Sequence, residues 1–172
     1  MATAKKPYKV LFIDLDGTLI KTRSGKTFPE GIWDMEIRTD VLDAIKHIPD
    51  NNFVHIVSNQ GGIENGYVSE GAFFKKLGYV CACIEYYCHR YSVTCDYCSS
   101  NDKDRYNRKP NAGMLQDFNI NPWGHERFCK EEMLMVGDAS GLPGQFSDSD
   151  KKTAENFGID YMDVEEFIKA YQ

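Results

Sequence analysis

The sequence predicts an α/β fold, a parallel sheet with helices on both faces. Two observations carry this. Short apolar runs rich in Val, Ile, Leu and Phe alternate with segments of helical periodicity, the pattern of strands joined by crossover helices. The polar residues with chemical potential fall at the ends of the strand-type runs, where ligands bind in such sheets.

Tyr8 to Ile13 is a continuous apolar run, consistent with a strand buried on both faces. Lys21 to Pro29, "KTRSGKTFP", is polar and holds a glycine and a proline, so it reads as a loop or flap. Val41, Leu42, Ile45 and Ile48 keep helical spacing, and Pro49 stops that helix. Asn51-Asn52 turns the chain into a second strand, Phe53 to Val57. Ser69 to Leu77 reads as an amphipathic helix closed by Gly78, and "YVCACIEYYC" as a third strand. Residues 88–108 read as an irregular, Cys-rich loop. A short helix is expected over 111–118, a strand over Met133 to Val136, and a helix over Asp150 to Phe157. "GIDY" is then a short strand and Val164 to Ala170 a closing helix.

The 172 residues suit one domain, 1–172, with no room for a large second one. The net charge of -6 argues against broad binding to a polyphosphate backbone, but leaves room for a local basic pocket. No apolar run approaches the ~20 residues of a membrane span, so no membrane partner is expected. "MATAKKPYKV" lacks the apolar core of a signal peptide, which makes the cytoplasm the default location.

The first strand ends in "DLDGT". Asp14 and Asp16 face the same side while the chain stays extended. Two close carboxylates repel, and a divalent cation relieves the repulsion; oxygen ligands suit Mg²⁺. Asp138, in "GDASG" after another strand, completes such a set. A lone Asp at a strand end is most simply a turn cap, but the two motifs together favour the metal reading. Ser58 and Asn59 end the second strand, and Lys109 stands in "RKP". A lysine charge and a serine hydroxyl suit a phosphoryl group. One carboxylate can then be the nucleophile and the other a proton donor and acceptor. Gly25-Lys26-Thr27 matches the tail of a P-loop, but Ile20 stands where that loop needs a glycine, so no kinase loop is assigned.

"DLDGT", Ser58, Lys109 and "GDASG", in that order, resemble the four motifs of the haloacid dehalogenase superfamily of phosphohydrolases. The resemblance implies a Rossmann-like, haloacid dehalogenase-like fold with no large cap domain. It implies Asp14 as nucleophile and Asp16 as general acid/base. Mg²⁺ would be held by Asp14, the backbone carbonyl of Asp16 and Asp138. Ser58, Asn59, Lys109 and Thr18 are the phosphate-binding candidates, and Asp150 matches an auxiliary acid that many members carry. "DLDGTLIKTRSGKTFP", "SNQGGI", "RKPNAGM" and "FSDSDKKTAENFGI" look closest to the phosphatase domain of polynucleotide kinase 3′-phosphatases. That would make the substrate a nucleic-acid end carrying a 3′-phosphate, with Arg23 of the flap near it. The plainer reading of Arg23 is a solvated loop residue.

Five of the six cysteines fall within 81–98. Cys81 and Cys83 read as core thiols. Cys88, His89, Cys95 and Cys98 resemble a structural Zn²⁺ set, and histidinol-phosphate and heptose-bisphosphate phosphatases of the same superfamily carry a zinc loop before "RKP". The competing reading is reduced, uncoordinated thiols. The Lys pairs at 5–6, 75–76 and 151–152 read as solvated faces. Three functions therefore compete: a 3′-phosphatase of nucleic-acid ends, a phosphatase of a small phosphomonoester such as histidinol phosphate or a sugar phosphate, and a phospho-acceptor signalling module. Asp16, a proton donor beside the acceptor, favours turnover over the third.

Overall fold

The computed structural model of the chain describes residues 5–49, 53–89, 92–120 and 122–172; the expected Asn51-Asn52 turn lies outside them. Five strands form a parallel sheet: β1 (Val10–Ile13), β4 (Phe53–Asn59), β5 (Ser92–Cys98), β6 (Met133–Gly137) and β7 (Asp160–Asp163). Their spatial order is β5-β4-β1-β6-β7, so the first strand made is the central one. It pairs on one side with β4, Val10 opposite Phe53, and on the other with β6, Val10 opposite Met133. A small antiparallel pair, β2 (Ile20–Thr22) and β3 (Met35–Ile37), carries the flap.

The sheet divides the core in two because strand side chains alternate between faces. Leu11, Ile13, Val54, Ile56, Leu134 and Val136 face one cluster. It is completed by α1 (Thr39–Lys46), α2 (Glu70–Cys88) and α5 (Val164–Tyr171), through Leu42, Ile45, Phe73, Ile84, Phe167 and Tyr171. Val10, Phe12, Val57, Met133 and Met135 face the other, against Met114 and Leu115 of α3 (Gly113–Asn119) and Ala154 of α4 (Ser149–Phe157). All four residues of β1 are fully buried, which explains a run with no polar alternation. Each such aliphatic side chain contributes roughly 1.5–3 kcal/mol by leaving water.

Two expectations are corrected. The run 79–88 is not a strand: α2 passes through Gly78 and continues to Cys88. Its buried positions, Phe73, Leu77, Val80, Ile84 and Cys88, form one stripe at helical spacing that the aromatic and cysteine content obscures. The third strand lies later, inside the stretch expected to be irregular. In β5, Val93, Cys95 and Tyr97 recur every second residue and pack on the core.

The flap is held from within. Asp34, itself buried, accepts hydrogen bonds from Ser24 N (2.7 Å), Ser24 Oγ (2.8 Å) and Glu30 N (3.1 Å). No helix among the described residues is long and apolar enough to cross a membrane.

Candidate active site

The carboxyl ends of β1, β4 and β6 open onto one polar centre. Asp14 follows β1 directly, and its N–H donates to the Val136 carbonyl at 3.0 Å, which ties it to β6. The turn after it needs Gly17. That residue has φ +96°, and a Cβ there would lie 2.0 Å from Asp138 Oδ2. The absent side chain is what lets Asp138 reach across. Asp150 enters from the first turn of α4, and its Oδ2 accepts from Ala139 N at 3.2 Å. Asp14, Asp138 and Asp150 offer carboxylate oxygens all within 4.8 Å of one another.

Lys109 lies against these acids. Its ammonium donates to Asp14 Oδ1 (2.5 Å), Asp150 Oδ1 (2.7 Å) and the Val57 carbonyl (2.9 Å), which uses all three of its hydrogens. Asn59, expected among the phosphate-binding residues, clamps the Lys109 backbone instead. Its Oδ1 accepts from Lys109 N at 3.0 Å and its Nδ2 donates to Lys109 O at 2.9 Å. Thr18 is fully buried, and its hydroxyl donates to Asp14 Oδ2 at 3.3 Å.

The electrostatics follow from a charge count: three carboxylates converge on one ammonium. Burial raises the Asp14 carboxyl; Lys109 pulls it down, and Asp150 and Asp138 push it up. Asp138 is raised to about 6, first by burial and then by Asp150. Burial alone would lower Lys109, but Asp14 and Asp150 overcome it and hold the ammonium protonated. Excess negative charge on a cluster of hard oxygen donors fits a divalent cation such as Mg²⁺.

Asp16 turns its side chain elsewhere. It accepts from Gln60 Nε2 at 2.7 Å and from Lys76 Nζ at 2.8 and 3.0 Å. Gln60 Nε2 also donates to Ser58 Oγ at 2.8 Å. Sequence reasoning missed both partners. Gln60 stands two residues after Ser58 at a strand end, a placement that could have flagged it. Lys76 was expected on a solvated face, yet its side chain is only 12% exposed. Arg23 stays in the flap with its N–H on the Asp34 carbonyl, and its side chain is exposed.

The expected zinc set does not assemble. Among the described residues, the three acids are the one group of three or more His, Cys, Asp or Glu side chains placed closely enough to share an ion. Cys88 ends α2 and donates its thiol to the Leu42 carbonyl, while Cys98 ends β5 and donates to the Ser100 carbonyl, each at 3.7 Å. Cys88 and His89 fall at the end of the lengthened α2, and Cys95 and Cys98 along β5, so the four do not converge.

The chain is similar to known phosphatases. It is 32% identical over 168 residues to a bifunctional polynucleotide phosphatase/kinase of Schizosaccharomyces pombe, covering 95% of this chain and 38% of that one. It is 29% identical over 154 residues to a probable D-glycero-D-manno-heptose-1,7-bisphosphate 7-phosphatase of Thermoplasma volcanium, covering 81% of this chain and 91% of that one. The crystal structure of the D,D-heptose 1,7-bisphosphate phosphatase of B. bronchiseptica, complexed with magnesium and phosphate, superposes with a TM-score of 0.65 at 17% identity, over 94% of this chain and 96% of that one. Residues 9–168 match the polynucleotide kinase 3 phosphatase family, and the chain belongs to that family.

Proposed function

We propose that this chain is a Mg²⁺-dependent phosphomonoesterase that removes 3′-phosphates from nucleic-acid ends through a phosphoaspartate on Asp14. The observation that carries the chemistry is the convergence of Asp14, Asp138, Asp150 and Lys109 at the carboxyl ends of the strands. A carboxylate oxygen of Asp14 attacks phosphorus, and the bond to the ester oxygen breaks. Asp16, protonated in the substrate complex and still held by Gln60, gives that oxygen its proton. Asp16 then takes a proton from water, which attacks the phosphoaspartate and frees inorganic phosphate and Asp14. The Ser58 hydroxyl holds one phosphoryl oxygen, and Lys109, exchanging its bond to Asp14 for one to the incoming group, holds another. Asp14, Asp138 and the Asp16 carbonyl would hold Mg²⁺, with Asp150 bracing Lys109 beside them. When bound, the ion offsets negative charge on the phosphoryl group.

The flap supports a strand end as substrate. Phe28 and Phe146, 54% and 78% exposed, meet edge to face at 5.7 Å between centroids. They stand on the loops that follow β2 and β6. Exposed rings of this kind suit base stacking. The similarity to a heptose-bisphosphate phosphatase over 91% of its length supports a second reading, a small sugar phosphate.

Rates on an oligonucleotide 3′-phosphate, a heptose bisphosphate and histidinol phosphate, compared with Mg²⁺ present, test the substrate. The oligonucleotide should show the highest kcat/KM, and a sugar phosphate in first place would reverse the assignment. Asp14→Asn should lower turnover by roughly 10³-fold or more on every substrate.

A further inference from the structure

Gln60 belongs to no acid, base or phosphate-binding role assigned above, yet it lies at the centre of the site. It is 8% exposed and follows directly on β4, with its backbone N–H donating to the Cys98 carbonyl at 2.7 Å. Its side chain lies between Asp16 and Ser58 and bonds to both.

We propose that Gln60 is a positioning residue: its amide nitrogen fixes the Asp16 carboxylate and, with its other hydrogen, sets the Ser58 hydroxyl to donate to the phosphoryl group. This rests on the phosphatase reading above. A carboxylate only accepts hydrogen bonds, so the amide must turn its NH₂ toward Asp16. That nitrogen has two hydrogens. One goes to Asp16 Oδ2 at 2.7 Å and the other to Ser58 Oγ at 2.8 Å. Ser58 Oγ therefore acts as acceptor on the Gln60 side, and among the described hydrogen bonds its own proton goes to no protein group. Ser58 is 2% exposed, so that proton needs an acceptor, and a phosphoryl oxygen is the one the reaction brings. Lys76 grips Asp16 from the other side at 2.8 and 3.0 Å. Gln60 and Lys76 together fix the carboxylate, and Gln60 alone ties it to Ser58.

Gln60→Met keeps the bulk and removes both donors. Gln60→Glu also adds a charge facing Asp16 and takes up the Ser58 proton. Each is compared with the wild type by melting temperature and circular dichroism, then by kcat and KM on an alkyl phosphate and on p-nitrophenyl phosphate. Orthovanadate inhibition reports on phosphoryl-group binding. The alkyl leaving group needs a proton from Asp16, whereas nitrophenolate leaves without one. Folded Gln60→Met should lose about 10- to 100-fold in kcat on the alkyl ester, at least about threefold less on the aryl ester, with KM little changed and orthovanadate binding weakened. Gln60→Glu should lose more. The inference is overturned if folded Gln60→Met keeps both rates within about twofold of wild type, or loses both equally with unchanged orthovanadate inhibition. Asp14→Asn is measured alongside: its full activity would sink the phosphatase reading, whereas an inactive Asp14→Asn beside a normal Gln60→Met sinks this inference alone.

Discussion

Lys109 commits its whole hydrogen-bonding capacity to the acid centre, to Asp14, Asp150 and the Val57 carbonyl. Removing it leaves buried carboxylates facing one another. Lys109→Met is expected to destabilise the fold by about 3–5 kcal/mol, the usual cost of stripping one partner from a buried ion pair. The loss should be smaller near pH 5 than at pH 8. Burial raises both Asp14 and Asp138 in the folded state, so protonation at the lower pH relieves the repulsion. Urea titrations at the two pH values check both the size and the sign. Asp14, Asp16 and Asp138 are legible in the sequence because each stands at the end of a strand-type apolar run. Asp150 is different: it lies in a helical turn, and resemblance rather than periodicity points to it. Gln60 and Lys76 carry no motif. Lys76 in particular looks like any helix-surface lysine until the register of α2 is known.

At the scale of elements, α2 is where reading and structure part most. "YVCACIEYYC" has the β-branched and aromatic content of a strand, and Gly78 looks like a stop. The burial stripe from Phe73 to Cys88 decides otherwise, since an amphipathic face packed on a sheet outweighs local propensity. Gly78 thus lies inside a helix, on its exposed side, and a Cβ there would meet nothing within 4 Å. Gly78→Ala is therefore expected to stabilise the protein by about 0.5–1 kcal/mol. Had the helix ended at Gly78 in a left-handed turn, the same change would destabilise, so one pair of melting curves separates the two arrangements. β5 hides for the converse reason. Its Thr, Asp and Ser suggest a loop, but only alternate positions pack on the core.

For the whole molecule, the raised carboxyls make stability depend on pH and, with the proposed ion bound among them, on Mg²⁺ as well. Asp138 titrates near 6 in the folded chain against 3.8 for the ordinary group. Its contribution is therefore full below about pH 4 and falls as pH rises through about 6. Held by those carboxylates as proposed above, Mg²⁺ would compete with the protons. Adding Mg²⁺ at about 100 times its dissociation constant should stabilise the fold by about 2.7 kcal/mol, roughly 5–10 °C in Tm, at pH 7.5. The increment should shrink at pH 5, and EDTA should abolish it at both; differential scanning fluorimetry in the two buffers measures it. An increment that grows on acidification would show that the ion binds elsewhere.

The strand order also dictates when the protein can first act. Strand one occupies the middle of the sheet, and its register partner Met133 is translated far later. On the ribosome, Asp14 emerges before its acidic neighbours and waits without them. A nascent fragment stopped before β6 would contain Asp14, Ser58 and Lys109 and still be inert. Activity should appear abruptly, once Asp138 and Asp150 clear the exit tunnel.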